Sequence, residues 1–164
     1  MKPWVKRALE LLDRSLGDVP QELNELDWKE DLSPNKDKLV RHLSAFANLP
    51  GGGFMVFGIN NKSGKAIGIE RKSADEIINI LSSLCRENVE PVLIIEHAIE
   101  NFQDSNVLII YVKESQVKPV HLAGKTIEDS FIRSGSTTRK ASRQEIGGLM
   151  LNSKTPVFEE LHAS

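Results

Sequence analysis

The sequence predicts an α+β domain: a mixed, mostly antiparallel sheet packed by helices, with an added N-terminal amphipathic helix. Three observations carry this expectation. Helical and strand-like stretches are interspersed along the 164 residues. The β-branched runs after Pro91 follow one another without the helical crossovers that a parallel, doubly wound sheet needs. Hydrophobic residues make up 40% and charged residues 27% of the chain, ordinary globular usage that excludes a disordered or fibrous protein.

Residues 3–16 carry Trp4, Ala8, Leu11, Leu12 and Leu16 at helical spacing, with Lys6, Arg7, Glu10 and Asp13 opposite. Such a helix must bury its apolar stripe against the domain or against a partner chain, which makes a homo-oligomer through this helix one expectation. Gly17 stands where a C-cap belongs. Glu25-Leu26-Asp27-Trp28-Lys29 alternates polar and apolar, as a short half-buried strand does. Ser33 as N-cap and Pro34 at the first helical position open the next helix, with Leu39, Val40, Leu43, Phe46 and Ala47 as its apolar face. Residues 53–59 are almost wholly apolar and read as a central strand covered on both faces. Residues 66–69 read as its hairpin partner across a turn at 60–64. Ser73 with Glu76 forms a capping-box pattern that starts a helix to about Asn88, burying Ile77, Ile80, Leu81, Leu84 and Cys85. Residues 91–99 and 106–112 read as antiparallel strands. Residues 119–122 and 129–133 read as short strands around a Gly124-Lys125 turn, and a last helix starts near Ser142. The expected division is a helix appendage at 1–17, a domain at 18–151 and a loosely held tail at 152–164.

Several function classes are excluded. One cysteine, Cys85, makes neither a disulfide framework nor a thiolate metal cluster, and it reads as a small core hydrophobe. His42, His97, His121 and His162 lack the close spacing of a zinc site. No apolar run approaches the roughly 18 residues of a membrane helix, and no secretory signal follows the basic start. A cytoplasmic protein with no membrane partner is therefore expected. Pro50-Gly51-Gly52-Gly53 follows a helix and precedes a strand, the reverse of the order in nucleotide-binding glycine loops, so a tight turn accounts for it.

The net charge is −2, but it is unevenly placed. Residues 18–31 hold six acids against Lys29 alone, whereas residues 133–143 hold Arg133, Arg139, Lys140 and Arg143 and no acid. Gly135-Ser136-Thr137-Thr138-Arg139-Lys140 is a glycine turn dense in hydroxyls, amides and cations, the donors that phosphate oxygens accept from. It reads either as a phosphate-binding segment (Arg133, Ser136, Thr137, Thr138, Arg139, Lys140, Arg143) or as a hydroxyl-rich loop capping the Ser142 helix. The acidic set Glu22, Glu25 and Asp27 also has two readings. On a strand, Glu25, Asp27 and Lys29 share one face, where carboxylates could hold a divalent metal for phosphodiester cleavage. They could equally form a solvent-facing edge with a local ion pair.

Several segments together resemble the Schlafen-type Alba-like DNA-binding domain family, also labelled a divergent AAA domain. Glu22 with Leu26-Asp27-Trp28-Lys29 resembles its opening E-S-x-x-L-E-F-K. Residues 43–59, with A-F-A-N followed by P-G-G-G-F-M-V-F-G-I, are similar to its A-F-A-N-T-x-G-G-x-L-x-x-G-V core. Pro119-Val120 and Phe131-Ile132-Arg133-Ser134-Gly135-Ser136-Thr137-Thr138 are similar to its close, P-V/H followed by Y-x-R-x-G-S-S-T. The resemblance implies a compact α+β domain of bacterial transcriptional regulators that binds nucleic acid, DNA rather than RNA, without a cofactor. It also implies an alternative, a ribonuclease using Mg²⁺ or Mn²⁺, with Glu22 and Asp27 as metal ligands and Lys29 stabilising charge. The third acid of that reading falls by motif on Asn60, a neutral and poorer ligand.

Overall fold

A computed structural model describes residues 1–17 and 23–154. Its framework is a four-stranded sheet of order β1-β2-β5-β4, formed by β1 (Leu26–Lys29), β2 (Gly53–Phe57), β4 (Ile95–Phe102) and β5 (Ser105–Val112). β1 runs parallel to β2, and the other two pairings are antiparallel. α1 (Pro3–Leu16) covers one face, and α2 (Lys36–Asn48) and α3 (Arg71–Glu87) cover the other. The two-residue period of a strand divides the core accordingly. Phe54 and Val56 of β2, with Val107 and Ile109 of β5, meet Val5, Ala8, Leu11 and Leu12 of α1. Met55, Phe57, Leu108 and Ile110 meet Leu39, Leu43 and Phe46 of α2 and Ile77 and Leu81 of α3. Residues 53–57 are buried throughout, as a strand covered on both faces must be. The stripe expected on α1 is thus buried within the chain, and Trp28 Nε1 adds a hydrogen bond to Ser15 Oγ at 3.0 Å.

The glycine turn before β2 has a steric cause. Gly51 and Gly52 have φ of 81° and 72°, and a Cβ on Gly52 would lie 2.3 Å from the Val112 carbonyl oxygen. A Cβ on Gly53 would lie 2.0 Å from the Phe46 ring, so this glycine lets α2 settle directly onto the sheet.

Some expected boundaries move. α2 begins at Lys36, because Asn35 caps it by accepting from Lys38 N at 3.2 Å, while Ser33 Oγ accepts from Asn35 N instead. α3 begins at Arg71 after Glu70, which makes no side-chain cap, so Ser73 falls inside the first turn and no capping box forms there. Gly17 follows α1 in extended geometry rather than as a left-handed cap. Residues 66–69 make one isolated bridge, Ile59 to Ala66, and no strand; both edges of β2 are already taken by β1 and β5. After α3 the chain forms β3 (Val89–Glu90), which pairs with β6 (His121–Leu122), so residues 91–94 stay outside the sheet. A 3-10 helix (Ile127–Asp129) leads into β7 (Phe131–Ser134), and the chain continues through β8 (Thr137–Lys140) to α4 (Arg143–Leu151). α4 starts near Ser142 as expected, with a capping box in which Ser142 and Glu145 each accept from the other's backbone.

Candidate nucleic-acid interface

β7 and β8 form a two-stranded ribbon separate from the main sheet. The segment expected as a hydroxyl-rich loop is therefore partly a strand. Gly135 and Ser136 turn the ribbon with φ of 57° and 62°, the paired positive values of a two-residue hairpin whose twist suits its strands. The ribbon docks on α2 through polar groups. Asn48 Nδ2 donates to the carbonyls of Val120 and Phe131, both at 3.0 Å, and Asn48 Oδ1 accepts from Val120 N at 2.7 Å. Ser44, one turn earlier, donates to the Val120 carbonyl and accepts from Phe131 N. Both side chains are buried, and every hydrogen bond they make ties α2 to segments that the sheet does not hold.

Residues opposite one another in an antiparallel pair share a face, so the ribbon divides the expected site. Phe131, Arg133, Thr138 and Lys140 lie on one face; Ile132, Ser134, Thr137 and Arg139 lie on the other. Arg133 points inward and is 6% exposed. It donates to the Asn24 carbonyl at 2.8 Å, the Leu26 carbonyl at 3.1 Å and Thr138 Oγ1 at 3.2 Å, with its guanidinium 4.8 Å from the centre of the Phe46 ring. Arg133 is thus a strut between β7 and the start of β1, and not a surface phosphate contact. Thr138 is held between Arg133 and His42 Nδ1, at 2.7 Å from the latter, so its hydroxyl is engaged as well. Ser136 donates its N–H to Asn24 Oδ1, and Thr137 Oγ1 donates to the Ser134 carbonyl.

The exposed cations of the segment all have acidic neighbours. Arg139 makes a two-pronged pair with Glu145 at 2.8 Å, Lys140 lies 3.6 Å from Asp129, and Arg143 lies 3.4 Å from Glu128. The Arg139 hydrogen bonds, with those from Ser142, hold the Glu145 carboxyl down to about 2. The single-point pairs of Lys140 and Arg143 are weak, while the two-pronged Arg139 pair is the strongest of the three. Two cations that the sequence reading passed over stand beside the ribbon. Lys38 and Arg41 are exposed on α2, with Arg41 5.6 Å over the Phe131 ring, and neither has a carboxylate partner among the described residues. The docking of the ribbon places Arg41 on the face that Phe131 shares with Lys140.

Beneath them lies His42, 7% exposed. Burial, reinforced by Arg133, Lys29 and Lys38 and opposed by Asp27, pushes its pKa down to about 4. Its Nε2 is buried with no hydrogen-bond partner among the described residues.

The acidic alternative fits less well. Asp27 and Lys29 share a face of β1, as expected, and lie 3.9 Å apart. Glu22 lies outside the described residues. Asn60 is a turn residue whose Oδ1 accepts from Lys62 N, Ser63 N and Ser63 Oγ, leaving it poorly placed to serve a metal. Among the described residues, no group of three His, Cys, Asp or Glu side chains could hold a metal ion. No described helix is long and apolar enough to cross a membrane.

A sheet with helices on both faces and a basic ribbon docked on one of those helices defines a compact α+β domain. The chain belongs to the Schlafen, AlbA_2 family, whose model matches residues 22–142, and that family fits a nucleic-acid-binding role. Among solved structures, the chain is similar to the DIP2311 protein from Corynebacterium diphtheriae, with a TM-score of 0.59 and 22% identity, over 92% of this chain and 28% of that one. It is also similar to the N-terminal domain of a RecG-related protein from Nitrosomonas europaea, with a TM-score of 0.52 and 23% identity, over 82% of this chain and 93% of that one. The chain thus spans little more than a quarter of the Corynebacterium protein. At these identities the likeness is one of fold. No curated protein matches the sequence.

Proposed function

We propose that this domain binds nucleic acid through its phosphates, double-stranded DNA before RNA, as the binding part of a cytoplasmic transcriptional regulator. The phosphates lie along the ribbon and the adjacent face of α2, against Lys38, Arg41, Arg139 and Lys140, with Thr137 and the Ser136 turn supplying uncharged donors and Arg143 at the margin. The observation that supports this reading is the pair of exposed cations without carboxylate partners among the described residues, Lys38 and Arg41, beside a ribbon whose own cations sit in surface pairs. Contacts of this kind position the polymer and carry no base specificity. The reading makes no use of a cofactor or metal.

Anisotropy titrations of labelled duplex DNA and structured RNA over a range of salt test it. Four cations on phosphates correspond to a log–log salt slope of about −3.6 for duplex DNA, by counterion release. Lys38→Ala/Arg41→Ala and Arg139→Ala/Lys140→Ala should each weaken binding and reduce the magnitude of the slope by about 1.8. A flat salt response, or both double variants binding like the parent, overturns the reading.

A further inference from the structure

A cavity of about 280 Å³ lies between α2, β7 and α4, away from Lys38 and Arg41. We propose that it is a binding site for a small organic carboxylate with an apolar body. Leu49, Pro50, Ile132 and Leu149 supply apolar wall, and Lys118, Arg133 and Glu145 are the charged residues of the lining, Arg133 being already engaged by the Asn24 and Leu26 carbonyls and Thr138 Oγ1. The Lys118 side chain is 4% exposed. An ammonium carries three N–H donors, yet Glu114 is the one side-chain acceptor that Lys118 Nζ meets among the described residues. Glu114 is itself fixed, since its other oxygen accepts from Gly51 N at 2.9 Å. A buried cation with donors to spare requires further acceptors, and an anionic oxygen answers that need better than a neutral one. In the protein free of nucleic acid, the state in which the site is tested, the carboxylate of Glu145 does not offset this attraction, because Arg139 holds it in a two-pronged pair. At about 30 Å³ for each water-sized unit, the volume accommodates roughly nine non-hydrogen atoms, the size of hexanoate or benzoate. The site does not depend on the nucleic-acid reading, and either can fail alone.

The test follows the amide resonances of Ile132, Gly148 and Leu149 in the ¹⁵N-labelled chain during titration with hexanoate and benzoate, and with hexanamide and benzamide as neutral counterparts. The expected result is saturable shifts at those residues with the carboxylates, and binding of the amides weaker by about tenfold, the size of a lost charged hydrogen bond. Lys118→Met should erase the preference for carboxylate. Gly148→Leu provides a second variant that tolerates its substitution: Gly148 is helical, and a Cβ there meets no atom within 4 Å. That side chain should fill the cavity and abolish the shifts in a protein whose remaining spectrum is unchanged. Absence of saturable shifts, equal response to the amides, or shifts that persist in Gly148→Leu would each overturn the proposal.

Discussion

Arg133→Met separates a strut from a phosphate contact. Methionine keeps an apolar stem against Phe46 but removes all three donors. The Leu26 and Asn24 carbonyls, 3.1 and 2.8 Å from the guanidinium, then lose their partner, as does Thr138 Oγ1. A buried acceptor left without a donor costs about 1–3 kcal/mol, and loss of the cation–ring contact costs about 0.5–2 kcal/mol. Opposing these is the relief of keeping a guanidinium out of water, the same burial that pulls the Arg133 pKa below its usual value. The balance is a net destabilisation of about 3 kcal/mol, since breaking such a buried arrangement from one side is what proteins tolerate least. With a urea slope of about 2 kcal/mol/M the unfolding midpoint should fall by about 1.5 M, and Tm by about 6–12 °C. Urea unfolding followed by Trp28 and Trp4 fluorescence measures it. A loss of less than about 1 kcal/mol, accompanied by sharply weaker nucleic-acid binding, would refute the strut and return Arg133 to the phosphate surface.

Three further predictions follow from the titrating groups. His42 is pushed down to about 4 by burial, below its unfolded value of about 6.5. Between those values the unfolded chain takes up a proton that the fold refuses, so stability should fall as pH falls through this window; comparing urea midpoints at about pH 7 and about pH 5 in the parent and in His42→Gln tests it, and an equal drop in both refutes it. Glu145 is held down to about 2 by its hydrogen bonds from Arg139 and Ser142. Its stabilisation of the α4 start should therefore be intact above the unfolded carboxylate value and disappear as pH falls toward about 2; an NMR titration of its carboxyl carbon with a midpoint near about 4 would show that the pair does not hold in solution. Cys85, buried in the core with its thiol pushed up to about 12 by desolvation, should react with a disulfide reagent only as fast as the domain unfolds, and rapid native-state labelling would contradict its burial.

The apolar periodicities were legible because burial on the two faces of the sheet imposes them. α1, the core strand within 53–59, the helix through Phe46 and the start of the last helix near Ser142 all stand where pattern reading places them. Elements held by polar bonds were not legible. Thr137-Thr138-Arg139-Lys140 has no apolar alternation, so nothing in its pattern marks a strand; Ser44, Asn48 and His42 hold the ribbon to α2 by hydrogen bonds, and Arg133 ties it to the start of β1. The same partners took Arg133 out of the exposed site, since one arginine in a row of cations looks like any other until its acceptors are found. Lys38 and Arg41, which belong only to the proposed surface, left no sign in the sequence for the converse reason: exposure on a helix is ordinary, and adjacency to a segment some ninety residues later leaves no local trace. Ser73 satisfied the letter of a capping box while the backbone had already turned helical at Arg71.

The placement of α1 bears on how this fold is modular. The family match starts at residue 22, yet the helix at 3–16 supplies one whole cover of the sheet. Without it, Leu26, Phe54, Val56, Ile59, Val107 and Ile109 would present a continuous greasy plane, the kind of surface on which proteins adhere to one another. The recognisable unit and the self-sufficient unit are therefore different lengths of chain. Any relative that keeps the sheet but begins without this helix has to bring a replacement roof from elsewhere, either a later segment or another molecule. The helix is an exchangeable part whose presence, rather than whose sequence, the sheet demands.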